Sequence, residues 1–318
     1  DLDLAYVLLR VKDDAGALAM FDGVCAHAMT PASEMDAGYA AQRLVRNPDA
    51  IVHFSKSLDL RRTGSEPLDP ETEFGIRRSI DSLSREFGLT IGAFYRADRS
   101  PAGGGNVGQG IAEAYWQPPA IGNRNGRILQ LYSRLSMNAL SPGASTVQSS
   151  SLQAALGVRY KPLADLNFVG AVERLVPIGA TAVKDWLLRA GYSAGFNTDI
   201  QPSTHYNMSG QIYGEAAYLT NQDRAIGSIE GRYGIDRRLG PSPNLTGSLY
   251  VNGAYNYDSA ELRKSSFAAG PGISLKYWFR ENQHRAPASY VQVDVMYRFK
   301  ITPADRTSGL VLQLSTSF

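Results

Sequence analysis

The sequence predicts an all-β transmembrane antiparallel barrel of about 12 strands, preceded by a short α-helical segment. Three observations carry this expectation. From residue 89 onward, apolar and polar residues alternate with a period of two in about twelve successive stretches. The last of them, Gly309-Leu-Val-Leu-Gln-Leu-Ser-Thr-Ser-Phe318, sets Leu310, Leu312, Leu314 and Phe318 on one face against Gln313, Ser315 and Ser317, and it stops on an aromatic. There is no uninterrupted apolar run of about 18 residues, which excludes a membrane-spanning helix but not a barrel, whose outward residues are interleaved with polar inward ones.

The 318 residues carry 32 Lys+Arg against 30 Asp+Glu, without the basic excess of a nucleic-acid surface. Tyr 17 and Phe 11 suit a barrel whose aromatics gather at the two membrane interfaces. The single cysteine, Cys25, excludes a disulfide framework and reads as a packed thiol in an apolar helical stretch. No His or carboxylate pairs stand at ligand spacing, so neither a metal nor another cofactor is expected. Asp1 opens directly into a helical pattern with no secretory leader ahead of it, as in a piece of a longer protein.

Residues 1–60 contain a repeat. Ala17-Leu-Ala-Met-Phe21 and Ala50-Ile-Val-His-Phe54 both read Ala-x-x-x-Phe, 33 residues apart, and the same offset relates Ala5 to Gly38, small residues suited to close helix packing. Asp13-Asp14-Ala15-Gly16 and Asn47-Pro48-Asp49 mark turns. The pattern resembles the tetratricopeptide repeat, a helix-turn-helix of about 34 residues; a generic pair of helical hairpins is the plainer alternative. The resemblance implies further repeats upstream and a polypeptide partner in the groove.

Residues 61–88 read as a linker and one amphipathic helix. Asp69-Pro70-Glu71 is a helix start, and Ile76, Ile80, Leu83 and Phe87 recur at helical spacing. That helix either lies against the last repeat or enters the barrel as a plug. Residues 89–318 form the barrel, with strands near 89–97, 108–117, 127–139, 148–160, 166–176, 184–195, 204–219, 225–238, 244–257, 265–279, 288–300 and 309–318. An even count sets the last strand antiparallel beside the first.

Most charges fall on the polar face of these strands: the acids Glu113, Glu173, Glu215, Glu230 and Asp294, and the bases Arg134, Arg159, Arg189, Arg232, Lys276 and Arg298. A soluble sandwich or small barrel would turn that face to water, whereas a membrane barrel turns it to the lumen. Aromatic strand ends, the even count and the terminal Phe318 favour the membrane. Glu113, Glu173, Arg159 and Arg189 then read as structural ion pairs. Tyr132, Tyr213, Tyr250, Gln153, Gln211, Asn252 and Arg134 offer hydroxyl-bonding and aromatic groups along a wet lumen.

Catalysis is not expected. His205 and His284 are the only histidines in the barrel region, and neither stands with an evident serine and acid. A lipid-modifying barrel enzyme is the remote alternative. Gly103-Gly-Gly-Asn-Val-Gly108 has no helix after it, so it is a hairpin loop and not a phosphate cradle.

The closing strand, with Leu314, Thr316 and Phe318 on one alternation, resembles the assembly signal of bacterial outer-membrane barrels. Glu113-Ala-Tyr-Trp-Gln-Pro-Pro119 with Ile121-Gly-x-Arg-Asn-Gly126, Gly157-Val-Arg-Tyr-Lys-Pro162 with Asn167 and Glu173-Arg174, and Asp185-Trp-Leu-Leu-Arg-Ala-Gly-Tyr192 resemble the C-terminal region of the bacteriophage N-four adsorption protein A family. The resemblance spans roughly residues 70–318. It implies an outer-membrane barrel behind periplasmic repeats, serving as a phage receptor and as the exit for an exopolysaccharide made by an inner-membrane glycosyltransferase partner. The partners expected are thus a phage tail protein, the polysaccharide, that glycosyltransferase and outer-membrane lipid, without nucleic acid. The most charged of the loops expected to face outward, with Asp258, Glu261, Arg263 and Lys264, is the candidate phage contact. A closed barrel that merely anchors the repeats is the second reading.

Overall fold

A computed structural model describes residues 2–24, 28–63, 68–97, 107–140, 149–200, 203–241, 244–302 and 308–318. Cys25, His27 and most of the glycine run after Pro101 lie outside the described residues. The chain divides into two compact units, Asp1–Glu86 with Pro118–Arg127 and Phe279–Ala288, and Phe87–Gln117 with Ile128–Trp278 and Ser289–Phe318.

The first unit contains α1 (Leu2–Arg10), α2 (Asp14–Asp22), α3 (Pro31–Arg43), α4 (Asn47–Thr63) and α5 (Pro70–Ser84). Its core joins Ala5, Ala17, Leu18, Phe21, Ala50 and Phe54. The 33-residue offset reappears in three dimensions: Tyr6 meets Phe21 edge-on at 5.6 Å, and Tyr39 meets Phe54 edge-on at 5.0 Å. Gly38 lies so close to Phe54 that an added Cβ would come within 2.6 Å of the ring. Asp13, Thr30 and Asp69 cap α2, α3 and α5 by accepting from Gly16, Ser33 and Thr72 backbone N–H groups. Pro at the first position of α3 and α5 fits the φ required there and removes no bonded N–H.

Of the two placements open to α5, packing with the helices is the one observed, since Ile76 and Ile80 join the helical core. Two loop segments belong to the same unit. Asn47 Nδ2 donates to Asn123 O (2.7 Å), Arg77 Nη2 donates to Asn282 O and Arg285 O (2.7 and 2.9 Å), and Arg78 Nη1 donates to Pro287 O (2.9 Å). Asn125-Gly126 takes positive φ at both residues, 52° and 82°, which suits the tight turn after the two-residue strand segment Asn123–Arg124.

The second unit is a closed antiparallel barrel of twelve strands: β1 (Phe87–Arg96), β2 (Val107–Trp116), β3 (Arg127–Leu140), β4 (Gln153–Lys161), β5 (Asn167–Pro177), β6 (Asp185–Phe196), β7 (Tyr206–Leu219), β8 (Arg224–Arg238), β9 (Leu245–Asp258), β10 (Ser265–Phe279), β11 (Ser289–Lys300) and β12 (Gly309–Ser317). Each strand pairs with the next, and β12 returns to β1 with Ile91 opposite Thr316 and Ala93 opposite Leu314. Beyond the ladder, Phe318 N donates to Leu89 O at 2.8 Å. The expected closing partnership is therefore present, and closure leaves no unpaired sheet edge in a medium without water.

Among the boundaries that differ from expectation are the starts of β1 and β4. β1 begins at Phe87, because Phe87 pairs with Trp116. β4 begins at Gln153 and not near 148, because Ser149–Ser151 forms a 3-10 turn. Ser150 O and Leu152 O there accept from Thr181 N (2.8 Å) and Gly179 N (2.8 Å).

Alternation sorts the faces. Leu156, Leu249 and Val251 stand 61%, 63% and 61% exposed, with Leu135, Val172, Leu188, Ile229, Ile273 and Val293 also exposed around the wall. A water-soluble barrel would bury these residues; an apolar outward belt is what lipid solvates. Glu173, Asp294 and Asn252, on the opposite alternation, are almost wholly buried. The fold is that of an outer-membrane β-barrel, with charges inward.

Candidate functional site

The inward residues form two hydrogen-bonded walls. On β2–β7 the centre is Glu173. Tyr132 Oη donates to its Oε1 (2.6 Å), Arg189 Nη1 to the same oxygen (2.8 Å), and Arg134 Nη2 to Oε2. Arg189 also grips Glu215 through Nε and Nη2, and Tyr213 Oη donates to Glu215. Toward the strand ends, Arg159 bonds Glu113 and donates Nε to Gln130 Oε1 (2.6 Å). Its guanidinium lies 5.3 Å from the Tyr115 ring centre and 5.0 Å from that of Tyr132. Strand register explains the network. Glu113 stands opposite Arg134, Gly157 lies between Tyr132 and Glu173, and the missing side chain there leaves room for the tyrosine.

The second wall covers β8–β11. Asp294 accepts from Arg232 Nη1 (3.2 Å), Tyr250 Oη (3.0 Å) and Gln292 Nε2 (2.8 Å). Glu230 accepts from Asn252 Nδ2 (2.7 Å) and Arg298 Nη2 (2.8 Å). Arg232 lies over the Tyr250 ring at 4.2 Å, and Lys276 Nζ lies 3.8 Å and 4.3 Å from the Trp278 and Tyr290 ring centres. This wall keeps unused hydrogen-bonding capacity. Asn252 Oδ1, Ser274 Oγ, Arg298 Nε and Asp236 Oδ1 are buried without a protein partner, and such groups need water or a ligand. A polar cavity of about 60 Å³ opens beside it, lined among others by Thr198, Gln211, Arg232, Ser248, Lys276 and Gln292.

Four of the expected ion-pair residues come together as two bonded pairs, Glu113 with Arg159 and Glu173 with Arg189. The tyrosines do not present free hydroxyls, because Tyr132, Tyr213 and Tyr250 each donate to a carboxylate. Gln153 stands apart from both walls: its amide bonds Val176 O (2.7 Å) and Val183 N (2.8 Å), fastening the segment after β5. In the β9–β10 loop, Asp258 is tied to Arg224, whose Nε donates to Oδ1 at 2.9 Å. The loop also carries Leu262, 101% exposed, which a search for charge passes over. Asp185, buried at the start of β6, accepts from Asn221 N (2.8 Å), Gln222 N (3.2 Å) and Thr220 Oγ1 (3.1 Å), so it caps the β7–β8 turn. An apolar cluster that includes Leu175, Leu187 and Leu219 packs inward near the same end.

The family described as Bacteriophage N adsorption protein A C-term matches residues 144–314, more than half of the chain. The chain belongs to this family. Bacteriophage adsorption protein A of Escherichia coli (strain K12) is 25% identical over 307 residues, covering 88% of this chain and 30% of that protein. The chain thus spans about a third of that relative's length. Among solved structures, an outer membrane channel from Pseudomonas putida F1 aligns with a TM-score of 0.41 at 10% identity, covering 73% of this chain and 94% of that one. A bacterial polysaccharide outer membrane secretin aligns with a TM-score of 0.35 at 10% identity, covering 73% and 98%.

Proposed function

We propose that this chain is the membrane end of a phage adsorption receptor whose barrel passes an exopolysaccharide across the outer membrane. The observation that carries the conduit reading is the asymmetry of the interior. The β2–β7 wall satisfies its own charges, whereas the β8–β11 wall buries Asn252 Oδ1, Ser274 Oγ and Arg298 Nε without protein partners. A polyhydroxylated chain supplies both donors and acceptors to such groups along its length. Family membership supports the receptor role, since the relative from Escherichia coli is named for bacteriophage adsorption.

With both termini on the periplasmic side, the connections after β1, β3, β5, β7, β9 and β11 face outward. The Asp258–Lys264 loop with exposed Leu262 is the proposed tail contact. The helical unit, with its 33-residue repetition, is the end of a tetratricopeptide-like stack in the periplasm. Its partner is a polypeptide, the glycosyltransferase that delivers the polymer. No enzymatic role is assigned: His284 Nε2 is engaged with Asp59 (2.8 Å), as in a structural pair.

The experiment is deletion and complementation in the native host. Loss of secreted polysaccharide and of phage adsorption on deletion, both restored by the wild-type gene, supports the reading. Replacing residues 259–264 is expected to abolish adsorption and spare secretion. A second reading, a barrel that only anchors the helices, is favoured by the fully buried Glu173 and its self-satisfied partners. Unchanged secretion on deletion establishes the anchor.

A further inference from the structure

In the Glu173-Arg174 pair, only Glu173 is used by the interior. Arg174 has the opposite alternation, with exposed Val172 and Val176 on its own strand, and lies between Leu156 and Trp186 in register. Its guanidinium sits 5.1 Å from the Trp186 ring centre. Among the described residues it is the one charge on the outward face that lies more than two positions inside its strand. Arg127 and Arg237 stand at or next to strand ends.

Lys184, exposed and one residue before β6, shares the alternation of Trp186 and stands at the rim beyond it. The acid Asp185 between them turns inward, and Asp223 at the β7–β8 turn accepts from Tyr218 Oη at 2.7 Å.

A lone guanidinium on a lipid-facing surface is costly at the bilayer centre and tolerated only near a headgroup. Arg174 is three residues from the end of β5 at Pro177. At roughly 3.3 Å per residue and a tilt near 40°, that is about 7–8 Å below the strand end. The side chain spans this distance along its aliphatic stem, and Trp186 is an aromatic of the interfacial belt.

We propose that Arg174 and Lys184 together hold the phosphate of one outer-leaflet glycolipid, with its acyl chains lying on Leu156, Val172 and Leu188. Two cations without acidic partners among the described residues supply the charge complement, and the flanking apolar surface supplies the chain contact. The site rests on the outward assignment of the 178–184 rim made above. It is a lipid site on the outer wall, separate from the interior.

The test is native mass spectrometry of the full chain in detergent, loaded with diphosphorylated lipid A, dephosphorylated lipid A, phosphatidylglycerol or inorganic phosphate. Wild type is expected to retain one diphosphorylated lipid A. Arg174→Gln and Lys184→Gln are each expected to lower retention about fivefold, with the heat-resistant folded form unchanged. Equal retention by the variants overturns the proposal. So does displacement by inorganic phosphate, or retention of phosphatidylglycerol or dephosphorylated lipid A as strong as that of lipid A. Sidedness is read separately, by labelling Leu262→Cys on intact cells with an impermeant maleimide. Labelling with no lipid retention removes the lipid site alone; absence of labelling overturns the outward assignment and the proposal with it.

Discussion

Arg189 on β6 reaches diagonally across to Glu173 on β5, Nη1 to Oε1 at 2.8 Å, and Glu173 has no exposed surface. The register explains the reach: Arg189 stands opposite Ala171, two residues from Glu173 on the same face. A buried carboxylate bonded by two guanidiniums and a phenol is costly to remove, because its cationic partners stay behind. Glu173→Ala leaves Arg134 and Arg189 without this partner and is expected to cost about 3–5 kcal/mol, seen as a lower unfolding temperature of the barrel in detergent. Glu173→Gln keeps an acceptor and is expected to cost less.

Gly38 against Phe54 is the tightest test of the helical repeat. Gly38→Ala places a Cβ within 2.6 Å of the ring, and overpacking of this kind costs about 1–3 kcal/mol. Faster hydrogen exchange in α3 and α4, with the β-strand amides unaffected, is the expected readout.

Closure depends on the end of the chain. Deleting Phe318 removes both backbone bonds to Leu89, at 2.8 and 3.3 Å. The yield of heat-resistant barrel in membranes is expected to fall severalfold, while barrels that do assemble conduct as wild type. Unchanged yield would show that the ladder from Thr90 to Arg96 closes the barrel unaided.

The helical unit contains a pH-sensitive carboxyl. Burial holds the pKa of Asp36 above its ordinary value, more strongly than the bond from Tyr6 and the charge of Arg43 pull it down. The folded chain therefore keeps this proton to a higher pH than the unfolded chain. Its contribution is full at low pH and is lost as pH rises through the raised value. Asp36→Asn is expected to slow hydrogen exchange in α1 and α3 near pH 7, and the gain should vanish as pH falls to the ordinary carboxylate range near 3.9.

The barrel was legible because a two-residue period survives any uncertainty in boundaries, and the Leu310, Leu312, Leu314 face alone implied a partner for β12. The helical offset was legible for the same reason, although Tyr6 and Tyr39, at the same spacing, pass unnoticed until their rings are seen on Phe21 and Phe54. Charge partners were less legible. That Arg189 serves Glu173 and Glu215 depends on cross-strand register, and the room Gly157 leaves for Tyr132 beside Glu173 has meaning only once that register is known. Gln153 has the alternation of a lumen residue, yet the adjacent rim captures its amide. Arg174 was readable from parity, since it shares the alternation of Val172 and Val176.

A conduit requires a wet, polar path along the β8–β11 wall, which single-channel recording of the purified barrel in a planar bilayer measures. Stepwise openings are expected of the wild type. Asn252→Leu with Ser274→Leu, which replaces the unpartnered groups by apolar bulk, is expected to reduce the conductance of folded, inserted barrels severalfold. Inserted wild-type barrels that stay electrically silent, or a double variant that conducts like wild type, would contradict the conduit reading.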